Sequence, residues 1–220
     1  WGKMINAGQT CIAPDYLFIH RSVKDELLQK IQKNITDWYG DNPQESKYFP
    51  RIVNENAMKR LQKLLEHGKI IFGGKVDFAD KYISPTIIDE VQPDFPVMQE
   101  EIFGPILPVM TFDNIDKVIS YINSHEKPLA FYYFGTNKKA KNVFLKTSSG
   151  GACINDTLMH ITNHHLPFGG VGNSGLGKYH GRDSFLAFSN ARAVVTTPTW
   201  FDLPVKYVPF RFFKWVKKIL

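Results

Sequence analysis

The segment Asn6-Ala7-Gly8-Gln9-Thr10-Cys11 places a thiol directly after small and polar residues. The stretch that follows it, Tyr16-Leu17-Phe18-Ile19, is short, apolar and aromatic, which is typical of a buried strand. A thiol in such a loop can be presented at a cleft, where nearby backbone N–H groups would stabilise an oxyanion. The pattern is compatible with a cysteine nucleophile, although a single cysteine is more often a small buried apolar residue.

A second candidate segment, Gln99-Glu100-Glu101-Ile102-Phe103-Gly104-Pro105, sets two carboxylates beside an aromatic ring. Glutamates are rarely buried without a partner, so the residue types alone favour an acidic turn that is exposed to water. Taken by itself, the segment predicts a surface turn and not a binding site.

Residues 155–181 show no periodicity and are rich in glycine, histidine and proline. Irregular segments of this length inside a compact domain are usually functional. The stretch contains Gly170-Val171-Gly172-Asn173-Ser174-Gly175, which matches the pattern of a dinucleotide-binding glycine loop. We reject that interpretation, because Asn163-His164-His165-Leu166-Pro167 stands where a strand is needed and no acidic residue follows at about 20 residues. A loop that packs close to the catalytic region is the better interpretation.

Four histidines, His160, His164, His165 and His180, fall in the same stretch. No cysteine or carboxylate stands at a familiar ligand spacing from them, so the sequence predicts no metal site. The second cysteine, Cys153, lies in a short apolar segment. We interpret it as a packing residue and not as a disulfide partner or a resolving thiol.

The elements that must position these residues alternate between strand and helix. Predicted strands cover residues 16–19, 69–72, 83–88, 106–112, 129–134 and 152–154. Predicted helices follow the caps Ser22, Asp113 and Thr136, and one more covers residues 54–66. Pro85 and Pro108 indicate strand starts or sheet edges. Short connections between alternating elements predict an α/β domain with a mostly parallel sheet flanked by helices.

The composition fits an ordinary globular protein, with 43% hydrophobic and 22% charged residues among 220. No run reaches the roughly 20 apolar residues that span a bilayer. The net charge of +6 is concentrated near the C-terminus, and no nucleic-acid motif is recognisable, so we expect no nucleic-acid partner.

Two cysteines favour a reducing compartment, here the cytoplasm. Because the chain starts at Trp1 without a secretion signal, we expect a piece of a longer protein.

Two motifs in the right order give the chain a family resemblance. The segment that ends at Cys11 resembles the active-site cysteine motif of the aldehyde dehydrogenase superfamily, and residues 99–105 resemble that family's second signature. Residues 155–181 are similar to the class 3 branch, and the resemblance weakens only after about Pro198. It implies an enzyme that uses NAD or NADP to oxidise aldehydes to carboxylic acids.

The resemblance also implies roles for individual residues. Cys11 would attack the aldehyde carbon, its own backbone N–H would hold part of the oxyanion, and water would hydrolyse the thioester left after hydride transfer. Glu101 matches the residue that hydrogen-bonds the nicotinamide ribose, and Phe103 matches the residue that packs beside the nicotinamide.

The substrate entrance of the family is lined by the region that this chain carries after residue 155. Ile161, Thr162 and Phe168 are therefore candidate substrate-binding residues. For Phe168 alone, packing in the core explains an aromatic residue equally well.

The family's general-base glutamate, its oxyanion asparagine and most of its cofactor site precede the region that this chain resembles. We therefore expect residues 1–190 to form the catalytic domain, incomplete at its N-terminus. We also expect that this chain alone has no useful dehydrogenase activity.

The C-terminal residues carry two further predictions. Residues 191–197 alternate weakly and predict a strand, which in the family extends a sheet across the subunit boundary of a homodimer. An ordinary edge strand is the alternative. Residues 198–220 form a tail that mixes aromatic residues with cations, as a helix at a membrane surface would. Docking of this tail on its own or a partner subunit explains the same residues.

Two other functions fit parts of the pattern. A cofactor-free thiol hydrolase would use Cys11 to turn over esters without nucleotide. A dimerising module without activity would show neither reaction. Thiol labelling, ester hydrolysis with and without NAD, and the size of the chain in solution distinguish these functions.

Overall fold

The computed structural model describes residues 1–210 and 212–218, without the side chains of residues 215 and 216. Arg211, Ile219 and Leu220, which belong to the predicted tail, lie outside the described residues. The chain divides into two compact units, Trp1–Ala187 and Phe188–Leu220.

In the larger unit, helices and strands alternate strictly only after residue 112. Strands β1 to β8 cover Leu17–His20, Lys69–Phe72, Val76–Asp77, Tyr82–Ile83, Thr86–Asp89, Ile106–Phe112, Ala130–Tyr133 and Gly151–Ile154. Helices α1 to α6 cover Lys24–Tyr39, Glu55–Lys63, Ile115–Asn123, Asn137–Lys146, Gly181–Ala187 and, in the smaller unit, Phe213–Val216.

The main sheet has the strand order β1-β6-β5-β2. Its β1-β6 and β6-β5 pairs are parallel, while β2 joins β5 in the antiparallel sense. Strands β7 and β8 form a second parallel pair, and β3 and β4 form an antiparallel ribbon. The predicted α/β fold with a mostly parallel sheet is confirmed.

Helices cover both faces of the main sheet. Successive residues of a strand point to opposite faces, and Ile87 and Ile88 of β5 accordingly belong to different apolar clusters. Ile87 packs in the cluster of Leu28 from α1, whereas Ile88 packs in the cluster of Met58 and Leu61 from α2. The apolar stripes of two helices therefore enclose the sheet.

Two predicted helix caps are wrong. Helix α1 begins at Lys24, because Ser22 lies in a short 3-10 turn where its backbone N–H donates to the side chain of His20. The cap of α3 is Asn114 and not Asp113, since the Asn114 side chain accepts the backbone N–H of Asp116 at 2.8 Å. The predicted cap of α4, Thr136, is confirmed by its bond to the backbone N–H of Lys139.

The two prolines behave differently. Pro85 directly precedes β5, so its predicted place at a strand start is confirmed. The single strand predicted over residues 83–88 is instead divided by Ser84 and Pro85 into β4 and β5. Pro108, expected at an edge or a strand start, lies inside β6, which has neighbours on both sides. Pairing with β5 ends at Pro108 and pairing with β1 begins at Val109. The missing N–H of Pro108 therefore costs no hydrogen bond to β1.

The smaller unit contains α6 and a 3-10 turn at Pro204–Lys206. Residues 191–197, all described, are exposed and carry no strand assignment. A strand that crosses a subunit boundary pairs with an edge from another chain, so the bridging strand stays a prediction. Among the described residues, no helix combines the length and the apolar character needed to cross a lipid bilayer.

Candidate active site

Cys11 occupies the tip of a tight turn. The backbone N–H of Ala13 donates to the carbonyl of Thr10 at 2.9 Å, so Cys11 and Ile12 are the two central residues of the turn. The Cys11 side chain is exposed and is a free thiol. Within the described chain, the backbone N–H groups of Cys11 and Ile12 donate no hydrogen bond. The turn thus presents a nucleophile together with two unused donors.

The residues before the turn adopt backbone conformations that are unfavourable for most residue types. Asn6 and Ala7 have φ values of 50° and 51°, in the left-handed region that residues other than glycine seldom adopt. Gly8, at φ 72°, must be glycine, because a Cβ there would lie 2.2 Å from the carbonyl oxygen of Gly104. This close approach places the segment before Cys11 directly against the turn that carries Glu101 and Phe103.

The residues after Cys11 reach the same acidic turn. Asp15 accepts the backbone N–H of Ile102 through Oδ1 at 3.0 Å. Arg60 of α2 donates to the carbonyls of Glu101, at 3.0 Å, and Ile102, at 2.5 Å. Both flanks of the nucleophile turn therefore contact the segment Glu101–Gly104, and the structure brings the two sequence motifs together.

Glu101 and Phe103 both present exposed side chains. Phe103 is 40% exposed and has a φ of 49°, in the left-handed region that residues other than glycine seldom adopt. Partial burial, together with the charge of Asp15, raises the pKa of Glu101. An exposed aromatic ring and a carboxyl group on a segment that contacts both flanks of the nucleophile turn fit a nicotinamide ring and a ribose hydroxyl. The residues present therefore suit this part of a nicotinamide cofactor.

A buried lysine lies within the electrostatic reach of this site. Lys3 is only 6% exposed, and burial lowers its pKa to about 8, against the attraction of Asp15 and Glu101. Burial is also the main cause that raises the pKa of Asp15, and the charge of Lys3 opposes that rise. Each group thus favours the charged form of the other in a poorly solvated environment.

Another apolar cluster lies beneath the nucleophile turn. Ile12 is 3% exposed and packs with Leu158 and Phe168, and Ile161 packs against this cluster. Phe168 is itself 8% exposed, so its ring is mainly part of the core. Two of the three candidate substrate residues thus pack in the cluster of Ile12, the residue that follows Cys11.

The third candidate residue lies at the surface. Thr162 is exposed and donates its hydroxyl to the carbonyl of Met159 at 2.8 Å, at the end of a 3-10 turn over Met159–Ile161. The site roles of Ile161, Thr162 and Phe168 stay predictions.

The glycine-rich stretch forms a loop, as interpreted from the sequence. A 3-10 turn covers Gly172–Ser174, and a Cβ on Gly170 would lie 2.2 Å from the backbone of Ser174. A short antiparallel bridge between Phe168 and Tyr179 closes the loop. The segment packs backbone against backbone, and no strand leads into it.

Cys153 has a partner that the sequence did not indicate. Its sulfur lies 3.4 Å from Nδ1 of His160, whose ring stacks on Phe168. Burial raises the pKa of the Cys153 thiol and lowers the pKa of His160, so both groups favour their neutral forms. These shifts fit a packing role for Cys153. The described residues contain no group of three or more side chains able to hold a metal ion.

Sequence reasoning missed the residues that connect the site. Asp15, Arg60 and Lys3 were not singled out, and neither was Tyr132, whose hydroxyl donates to the carbonyl of Ile12 at 2.6 Å. Asp15 and Lys3 carry one detectable signal, since each is a charged residue within the nucleophile segment. Arg60 and Tyr132 lie far from Cys11 in sequence and carry none.

The chain matches known proteins over most of its length. The model of the aldehyde dehydrogenase family covers residues 1–194. Aldehyde dehydrogenase family 3 member A2 of Mus musculus is 52% identical over 193 residues, which cover 87% of this chain and 40% of the relative. The dimeric NADP-preferring aldehyde dehydrogenase of Bos taurus is 45% identical over 199 residues, which cover 90% of this chain and 83% of that sequence.

Solved structures agree with these relatives. A Staphylococcus aureus AldH structure, described as a substrate-bound state, superposes with a TM-score of 0.90 at 44% identity and covers 99% of this chain and 48% of its own. An NAD-dependent aldehyde dehydrogenase from Sinorhizobium meliloti gives a TM-score of 0.79 at 26% identity, over 91% of this chain and 42% of its own.

The resemblance to the class 3 branch is confirmed, because relatives about half identical to this chain are named as family 3 members. The chain spans about 40% of the length of several of these relatives. By the match to the family model and by its identity to the bovine relative, the chain belongs to the aldehyde dehydrogenase family.

Proposed function

We propose that this chain supplies the nucleophile-bearing part of a class 3-type aldehyde dehydrogenase, in which Cys11 attacks the aldehyde. One observation carries the proposal: the exposed thiol of Cys11 stands on a turn whose two flanks contact the segment of Glu101 and Phe103. The names of the family 3 relatives support the same reaction.

The chemistry begins at the sulfur. The Cys11 thiolate adds to the carbonyl carbon of the aldehyde and forms a thiohemiacetal, while the carbonyl oxygen becomes an oxyanion. The unused N–H groups of Cys11 and Ile12 are available to hold that oxyanion. A bound nicotinamide cofactor would accept the hydride from this carbon. Water then hydrolyses the resulting thioester, which releases the carboxylic acid and restores the thiol.

Glu101 and Phe103 take the cofactor roles in this proposal. The Glu101 carboxylate would accept a hydrogen bond from a ribose hydroxyl, and the exposed Phe103 ring would lie beside the nicotinamide. These two contacts suit NAD and NADP alike, because the two cofactors differ at the adenosine ribose. The rest of the nucleotide would bind to the part of the longer protein that precedes this chain.

The apolar cluster around Ile12 favours an apolar substrate. Ile161 and Phe168 pack on the residue that follows the nucleophile, and Thr162 lies exposed beyond them. We assign these three residues to the substrate side. A medium- or long-chain aliphatic aldehyde or an aromatic aldehyde would match such surroundings.

The C-terminal residues would provide assembly and location. We propose that residues 191–197 pair as a strand with a second copy of the protein, which is supported by the word "dimeric" in the names of relatives. The basic aromatic tail, residues 198–220, would contact a membrane surface from the cytoplasm or dock on a subunit. The first alternative predicts binding to anionic vesicles that rises as salt is lowered.

The test of the proposed function uses the longer protein that contains this chain. Cys11→Ala should lower nicotinamide reduction by an aldehyde at least about a thousandfold, as expected for loss of a covalent nucleophile. The matched control, Cys153→Ala, should retain the activity within about twofold. Activity that survives Cys11→Ala would contradict the proposal. Ester turnover by the 220-residue chain that continues through many cycles without nucleotide would instead favour the thiol hydrolase.

A further inference from the structure

Tyr132 connects the second parallel strand pair to the nucleophile turn. It lies on β7, and its hydroxyl donates to the backbone carbonyl of Ile12 at 2.6 Å, although the two residues are 120 positions apart. Its ring also packs against the apolar cluster of Ile12, Leu158 and Phe168. Ile12, which follows Cys11, therefore contacts Tyr132 twice: its side chain belongs to the cluster against which the Tyr132 ring packs, and its backbone carbonyl accepts the Tyr132 hydroxyl.

The bonded carbonyl belongs to the peptide that closes the turn. The carbonyl of Ile12 and the N–H of Ala13 form one planar peptide group, and that N–H donates to Thr10 at 2.9 Å. A rotation of this peptide would break the bond that closes the turn, and the closed turn sets the orientation of the two preceding peptides, which carry the N–H groups of Cys11 and Ile12. The Tyr132 hydroxyl thus helps to hold the turn on which these two donors lie.

The hydroxyl has no substitute in the surroundings of the turn. Among the described residues, no other donor reaches the carbonyl of Ile12. Burial raises the pKa of the Tyr132 phenol well above its usual value, while a backbone bond from Leu158 opposes that rise. With a raised pKa, the phenol keeps its proton and remains a donor at neutral pH.

We propose that Tyr132 is a positioning residue that directs the backbone N–H groups of Cys11 and Ile12 toward the oxygen of a bound carbonyl group. The inference rests on the proposed function, because it takes Cys11 as the nucleophile. It does not require Tyr132 to touch the substrate. Its effect must therefore be seen only in reactions that develop an oxyanion.

Two reactions of the 220-residue chain separate this role from general support of the fold. Iodoacetamide alkylates a thiol without forming an oxyanion, whereas p-nitrophenyl acetate acylates it through one. Tyr132→Phe keeps the ring in the cluster and removes only the hydroxyl. We expect the rate of Cys11 acylation to fall about tenfold and the rate of alkylation to change less than about twofold.

Tyr133→Phe is the matched control, because Tyr133 is the next residue of β7 and, among the described contacts, its hydroxyl makes no hydrogen bond. This variant should leave both rates unchanged. Cys11→Ala defines the background in both reactions. The melting temperature of each variant shows whether the fold itself is altered.

The outcomes are distinct. Selective loss of acylation in Tyr132→Phe supports the positioning role. Unchanged rates, a parallel fall in both rates, or a fall in alkylation alone would overturn it and leave the proposed function intact. If acylation of the unchanged chain equals that of Cys11→Ala, the proposed function is contradicted, and the inference about Tyr132 falls with it.

Discussion

The nucleophile turn and the segment 191–197 differ in how this chain determines their structure. Two hydrogen bonds from distant parts of the chain hold the turn in place. The side chain of Asp15 accepts the backbone N–H of Ile102, and the hydroxyl of Tyr132 donates to the backbone carbonyl of Ile12. Residues 191–197 are exposed throughout, and no strand is assigned to them. Both segments were assigned functions from the same family resemblance.

The difference concerns where the stabilising contacts come from. The turn is held by contacts within one chain, so its geometry exists before any ligand or partner binds. Val195, by contrast, is 88% exposed, and an exposed apolar residue gains stability only when another surface covers it. A site of chemistry needs prior order, whereas a site of assembly can gain its order on binding.

The largest expected effect comes from removing the apolar support of the turn. Ile12 is 3% exposed, and Ile12→Ala would leave a cavity under Cys11. We expect it to lower the free energy of unfolding by about 2–5 kcal/mol, as for buried large-to-small changes. Val195→Ala, at an exposed position, should change it by less than about 0.5 kcal/mol. Urea denaturation measures both, and equal losses would contradict the contrast between the two regions.

A smaller loss is expected at Asp15, further along the same flank. Asp15→Ala leaves the backbone N–H of Ile102 without its acceptor and removes a carboxylate near the buried Lys3. An unpaired donor in a poorly solvated position costs about 1–3 kcal/mol. The exposed Asp94 provides the control, and Asp94→Ala should leave the unfolding midpoint in urea unchanged. If both variants unfold at the same midpoint, the contact between Asp15 and Ile102 does not stabilise the site.

The smallest effect on the single chain is expected at the C-terminal segment. Val195→Pro removes one backbone donor from the predicted intermolecular strand, so the dissociation constant of a dimer should rise about tenfold. The free energy of unfolding of the monomer should change by less than about 0.5 kcal/mol. Sedimentation over a range of concentrations measures the dimer. Thr199→Pro, which lies beyond the strand, is the control, and equal weakening by both variants would show that residues 191–197 are not the interface.

Local patterns in the sequence predicted the elements and the two ends of the site. Helical and strand periodicity placed β1, β2 and β6 and the helices between them, because each pattern reports which side of an element is buried. The motifs around Cys11 and Glu101 were recognisable because their residues are contiguous. Their contact through Gly8 and Gly104 joins segments far apart in the chain, and no local pattern encodes it.

The errors have local and tertiary origins. The cap at Ser22 failed because the side chain of His20, two residues earlier, accepts the Ser22 N–H and caps a 3-10 turn that begins at Arg21. Pro108 was misplaced because its position depends on the register of two neighbouring strands. The bond from Tyr132 to Ile12 requires the β7-β8 pair to lie beside the nucleophile turn. The position of Pro108 and the bond of Tyr132 both depend on tertiary neighbours that a single sequence does not list.

The central claim is that Cys11 is the reactive thiol of this chain, and the most direct test is to locate the acetyl group after reaction with p-nitrophenyl acetate. Peptide mapping by mass spectrometry should find the thioester on Cys11 and leave Cys153, paired with His160, unmodified. An acetyl group on Cys153 with Cys11 unmodified would contradict the account.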